Sequence, residues 1–259
     1  MNTKNSIILL LIITSFLMMP SCEDYLSVVP KGQRIPETLE DFALMLKDEY
    51  GAQRTDALQA LILMNDRYVS TSNLSYYPLY RANYNWDESA DRIDFNKSDE
   101  LPFYVGYGAI SVFNLIIENA PGATEAADTE RRAVAAQSKV LRAMSYFNIV
   151  NYYSDTYVAS TASGKGGIPL ITSADVNAPH TQVSVQEIYD FMLRDMEEAY
   201  EDLPQSSETI IHPDKGTADA FYARLYLQMG NYTGALVHAD RALNANSNLY
   251  DWTEFYETH

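Results

Sequence analysis

The run YYPLYRANYNWD, residues 76–87, sets Tyr76, Tyr77, Tyr80, Tyr84 and Trp86 among Arg81, Asn83, Asn85 and Asp87. Those residue types suit a polyhydroxylated ligand. A sugar ring has an apolar C–H face, which a flat aromatic side chain covers, and a rim of hydroxyls, which amides, carboxylates and guanidinium groups satisfy. Trp86, Tyr84, Tyr80 and Tyr77 are therefore the candidate platform, and Asn83, Asn85, Arg81 and Asp87 the candidate rim. The same rings have a plainer use, packing the segment onto neighbouring helices or facing a protein partner. The acids Asp87, Glu88, Asp91, Asp94, Asp99 and Glu100 lack the glycine and bidentate glutamate of a calcium-binding loop, so a solvated loop is expected and no metal site. His180, His212, His238 and His259 show no metalloprotease spacing and read as surface or helix-end residues. No nucleophile elbow, phosphate loop or dinucleotide fingerprint is present, so no cofactor is expected. A glycosidase would need two carboxylates at a fixed separation, and 35 acids make such a pair trivially available.

A second residue with chemistry of its own is Cys22, the only cysteine of the chain. It excludes an intramolecular disulfide and a zinc ribbon. It follows MNTKNS, with a single positive charge, then IILLLIITSFLMM, thirteen residues with almost no polarity, then Ser21. That is a signal peptide over residues 1–21, too short to span a bilayer, with a thiol at the first position after cleavage. The thiol takes a diacylglycerol through a thioether, which makes Cys22 the expected lipid attachment point. Met19 and Pro20 are not the favoured upstream residues, and the alternative is an ordinary secretory signal with a chance cysteine.

The chain carries a formal charge of −17, which gives no electrostatic footprint for phosphate backbones, so nucleic acid is not an expected partner. Its twenty tyrosines against nine phenylalanines suit half-wet surfaces.

The elements that must position these residues read as helices. Apolar residues at helical spacing predict helices over 36–50, with Pro36 in the first turn, and over 56–66, 104–120 and 130–154. Ser184 followed by Glu187 opens a helix over 184–203 with a capping box. Helices over 217–230 and 232–245 form a hairpin. Residues 67–101 and 155–180 read as irregular, and no alternating strand is evident. The hairpin has a finer signature: Ala223, Tyr226, Gly230, Tyr232, Ala235 and Ala242 match the tetratricopeptide spacing. Small residues let the helices approach, and Gly230-Asn231 needs a residue tolerant of positive φ. One repeat cannot bury its apolar face, so 130–154 and 184–203 are the expected stacking neighbours, an interrupted repeat over 130–203 before the regular one at 217–245. Arg142, amid apolar neighbours, is expected to be buried with an acidic partner.

Four segments in order resemble the SusD/RagB surface lipoproteins of Bacteroidetes: SCEDYLSVVPKG, then KVLRAMSYFNIVNYYSD with GGIPLI, then VQEIYDFMLRDMEEAYEDLP, then GTADAFYARLYLQMGNYTGALVHADRAL. The resemblance implies an all-α fold of tetratricopeptide-like hairpins with long irregular loop insertions, the family's N-terminal helical domain, over residues 22–259. It implies a non-catalytic outer-membrane lipoprotein that faces the cell exterior. Such a protein covers a SusC-like TonB-dependent transporter and loads it with glycan or another nutrient. It also points to the 67–101 region for the glycan site. The family's usual C-terminal half is not found in this sequence. The alternative classes are an interaction protein whose tetratricopeptide groove holds a polypeptide and no small ligand, or a surface glycosidase.

Overall fold

Most of the described helices stand where the apolar spacing asks for them. The computed structural model describes residues 36–47, 70–72, 78–91, 101–175, 177–207, 209, 211–248 and 251–253, with the side chains of 78–80, 101 and 102 outside the description. The segment 1–35, with the expected signal and Cys22, lies outside the described residues, as do Tyr77 and the helix expected at 56–66. Among the described residues there are seven α-helices and one two-stranded ribbon: α1 Leu39–Leu46, α2 Pro78–Tyr84, α3 Leu101–Asn119, α4 Asp128–Tyr153, β1 Gly166–Leu170, β2 Thr181–Ser184, α5 Val185–Tyr200, α6 Lys215–Gln228 and α7 Tyr232–Ala245.

Local chemistry sets the helix starts. Helix α1 begins at Leu39, so Pro36 precedes it instead of sitting in its first turn, and Thr38 is the cap: its hydroxyl accepts from the Asp41 N–H at 3.3 Å, and the Asp41 carboxylate accepts from the Thr38 N–H at 3.0 Å. Ser184 and Glu187 make the expected capping box on α5, with the Ser184 N–H 2.8 Å from the Glu187 carboxylate. The Ser184 hydroxyl and N–H hold that carboxyl below its usual range.

The core forms in two clusters. In the first, α3 to α6 and the ribbon bury Tyr146, Tyr189, Ile188, Met192, Met196 and Leu225. In the second, α1, α3 and α4 bury Phe42, Leu46, Phe113, Ile116 and Val134. Helices α3 and α4 approach closely at Gly106, where an added Cβ would come within 2.6 Å of Ile149 Cδ1. Arg142 is buried as expected. Its guanidinium donates to both oxygens of Asp195 on α5 at 2.8 and 2.7 Å, and to Asn114 Oδ1 on α3 at 2.6 Å. Asn114 passes the connection on, donating to the carbonyls of Ile171 and Ser173 at 3.1 Å each. One buried cation thus ties α3, α4, α5 and the segment after β1 together.

Two expectations need correction. The region 155–180 is not all loop: β1 pairs antiparallel with β2, Pro169 opposite Gln182 and Leu170 opposite Thr181. The region 67–101 contains the two-turn helix α2 and the first residue of α3.

Candidate functional site

Helix α2 ends in a closure that dictates where Trp86 goes. The Asp87 N–H donates to the Ala82 carbonyl at 2.8 Å, and the Trp86 N–H to the Asn83 carbonyl at 3.2 Å. This six-to-one and five-to-two pair is the Schellman closure, which requires a left-handed residue at the position Trp86 occupies. Trp86 accordingly has φ +52°. The same closure ends α6: Asn231 N–H bonds the Tyr226 carbonyl at 2.8 Å and Gly230 N–H the Leu227 carbonyl at 3.1 Å, with Gly230 at φ +75°. There the chain uses glycine, which meets no Cβ penalty. At α2 it uses the bulkiest side chain available, at a cost of about 1–2 kcal/mol. Strain of this kind is kept where the side chain has work to do.

The ring it holds out is 63% exposed. Around it, Arg81, Asn85 and Asp87 are exposed and Asn83 and Tyr84 half-buried, while Ala82 turns inward and is buried. Arg81 and Asn85, four residues apart, lie on one side of the helix end. Asp87 is fixed by its loop, its Oδ1 accepting from the Ser89 N–H at 3.0 Å and the Ser89 hydroxyl at 2.6 Å. The structure thus brings Arg81, Asn83, Tyr84, Asn85, Trp86 and Asp87 into one helix end and its turn. Tyr80 lies in α2 with its side chain outside the description. The arrangement offers one flat apolar face with a guanidinium, an amide and a carboxylate close by. It can cover a sugar ring and bond its hydroxyls. Among the described residues no group of His, Cys, Asp and Glu is placed to hold a metal ion.

Sequence reasoning missed a second aromatic surface. Where α3 begins and α4 ends, the Phe103 ring lies 5.9 Å from Tyr104, 4.7 Å from Tyr107 and 5.3 Å from Tyr153, and Tyr152 lies 6.3 Å from Tyr153. Tyr104, Tyr152 and Tyr153 are exposed. Their helical spacing hides them in the sequence, because the surface forms only when two antiparallel helices bring their opposite ends together. His238 was also misread. It sits inside the α6–α7 hairpin, its ring stacked 4.5 Å from Tyr222, with Nδ1 2.7 Å from the buried Asp219 carboxylate. Tyr200 donates to the same carboxylate at 2.9 Å.

Comparisons with known proteins agree with this fold. A SusD-like family model, described as "Starch-binding associating with outer membrane", matches residues 24–227. The SusD-like protein P38 of Formosa agariphila is 26% identical over 98% of this chain and 49% of its own length. A SusD superfamily protein of Bacteroides thetaiotaomicron superposes with a TM-score of 0.66 at 21% identity, over 84% of this chain and 49% of that one. A laminarin-binding SusD-like protein superposes with a TM-score of 0.65 at 18% identity, over 80% of this chain and 44% of that one. The chain spans about half the length of these relatives.

Proposed function

The chain belongs to the SusD-like family, and on that footing we propose that it is a cell-surface lipoprotein that captures a glycan and hands it to a SusC-like TonB-dependent transporter. The observation that carries the reading is Trp86, an exposed ring kept at a strained left-handed position where α6 uses glycine. A residue placed for packing would turn inward, as Ala82 does. Trp86 stacks on the pyranose, with Tyr84 beside it, and Arg81, Asn83, Asn85 and Asp87 bond the hydroxyls. Tyr80 and Tyr77 are added to the proposed contacts on their place in the sequence alone. Binding without turnover is the role. The starch-binding description of the family supports capture as the role.

The family is associated with the outer membrane, and no helix among the described residues is long and apolar enough to cross a bilayer. An acylated Cys22 supplies the attachment, with the folded part facing the cell exterior. Calorimetric titration of the protein against soluble starch, laminarin and other glycans tests the reading. Saturable binding to at least one, lost in Trp86→Ala, is expected, with no new reducing ends. Binding to none, or equal binding by the variant, overturns it. Copurification of a large barrel with the acylated protein tests the partner.

A further inference from the structure

Several cations of this acidic chain are spent on acids: Arg132, Lys139, Arg142 and Lys165 each stand within 3.0 Å of a carboxylate. Lys215 and Arg241 are placed differently. Lys215, the first residue of α6, reaches the Glu201 carboxylate only at 4.0 Å, and that side chain is 90% exposed, where solvent screens the pair. Arg241, on α7, has no carboxylate within 4.0 Å among the described residues, and its guanidinium bonds the Tyr200 phenol. Both cations line one cleft of about 410 Å³, where the end of α5, the start of α6 and the last turns of α7 converge. That volume lies within the roughly 300–1,000 Å³ of small-molecule sites. One wall is fixed by close packing, since a Cβ on Gly216 would come within 2.9 Å of the Ala245 Cβ.

The acid that lines the cleft, Asp219, is buried and committed. One carboxylate oxygen accepts from the Tyr200 hydroxyl at 2.9 Å, and the other lies 2.7 Å from His238 Nδ1. The amides of Gln205 and Asn244 also line the cleft, are exposed, and make no hydrogen bond among the described residues. The Tyr200 ring, 5.3 Å from Lys215 Nζ, adds an apolar surface. A guanidinium fork suits a carboxylate, an ammonium adds a second charge, and two amides with an aromatic edge suit a hydroxylated ring. The net charge of −17 repels anions at long range, but at physiological salt that field is screened beyond about 8 Å, and these cations act at contact.

We propose that the cleft between Lys215 and Arg241 is a second ligand site, which takes the carboxylate of a sugar acid. The choice of a sugar ring rests on the carbohydrate reading above; the preference for an anion rests on the cleft alone. The residues of the cleft are other than those of the Trp86 site, so the two readings fail separately.

The test is a protein-observed NMR titration of the 259-residue chain with glucuronate, galacturonate and mannuronate, with glucose and sulfate as comparison ligands. At least one uronate is expected to shift the Arg241 Nε–H and the Asn244 side-chain amide signals saturably, while glucose leaves them in place. Arg241→Gln and Lys215→Gln should each weaken that uronate at least tenfold, with the helical circular dichroism unchanged. Asn244→Asp, an exposed change that sets a carboxylate against the ligand's own, should do the same and serves if Arg241→Gln disturbs the fold. Trp86→Ala should leave uronate binding as it is. Saturation by no uronate, or equal binding by the cleft variants, overturns the proposal. Equal binding of glucose removes the need for the cations, and equal binding of sulfate removes the sugar acid; either overturns it. Loss of uronate binding in Trp86→Ala does so too, because the ligand would then sit at the other site.

Discussion

Replacing Trp86 by glycine and by alanine separates the backbone from the ring. In an ordinary helical position alanine is the more stable of the two by about 1 kcal/mol. At φ +52° the order reverses, because alanine keeps the Cβ that clashes in the left-handed region and glycine does not. Both variants lose the buried part of the indole, roughly a third of a side chain that buries up to about 250 Å² when fully enclosed. At about 25 cal/mol per Å² this is at most about 2 kcal/mol, common to both. Trp86→Gly should therefore be more stable than Trp86→Ala by about 1 kcal/mol, read as a difference in urea midpoint followed by circular dichroism. Both should lose glycan affinity alike. Truncating a central aromatic contact typically costs about 2 kcal/mol or more, which is about thirtyfold in dissociation constant. Alanine as stable as glycine would refute the strain, and unchanged affinity in both would refute the platform.

Two further outcomes follow from the core. Arg142→Ala alone strands the buried Asp195 carboxylate and should cost about 3–5 kcal/mol, whereas Arg142→Met combined with Asp195→Leu should recover most of it in the same denaturation assay. Burial pushes the Tyr189 hydroxyl up to about 12 and those of Tyr107, Tyr146 and Tyr222 well above their ordinary 10. Above pH 10 the unfolded chain releases these protons and the folded one keeps them, so stability should fall as pH rises. Tyrosinate absorbance of these four is expected to appear together with the loss of helical circular dichroism. Smooth ionisation near pH 10 with the fold intact would contradict it.

What the sequence discloses here is local chemistry. The Ser184 capping box reads directly because cap and partner are three residues apart, and α7 begins and ends where its spacing says. Gly230 announces its turn because glycine is the residue such a turn selects. Trp86 announces nothing about its own backbone, since tryptophan is a poor choice for a left-handed position, and so its chemistry could be read but not its presentation. The ribbon was hidden for a related reason. Gly166, Gly167 and Pro169 read as loop, yet Gly167 is needed where an added Cβ would meet the Val183 carbonyl at 2.8 Å. The Tyr104–Tyr153 surface and the place of His238 depend on which helices pair, which residue types alone do not state.

Of the two tryptophans, Trp86 and Trp252, only the first belongs to the candidate site. In a Trp252→Phe variant the remaining indole reports on that site alone. Titrating this variant with the glycan that binds in calorimetry should produce a saturable shift in indole emission with the same dissociation constant. Heat of binding with no change at Trp86 would contradict the claim that this ring meets the ligand.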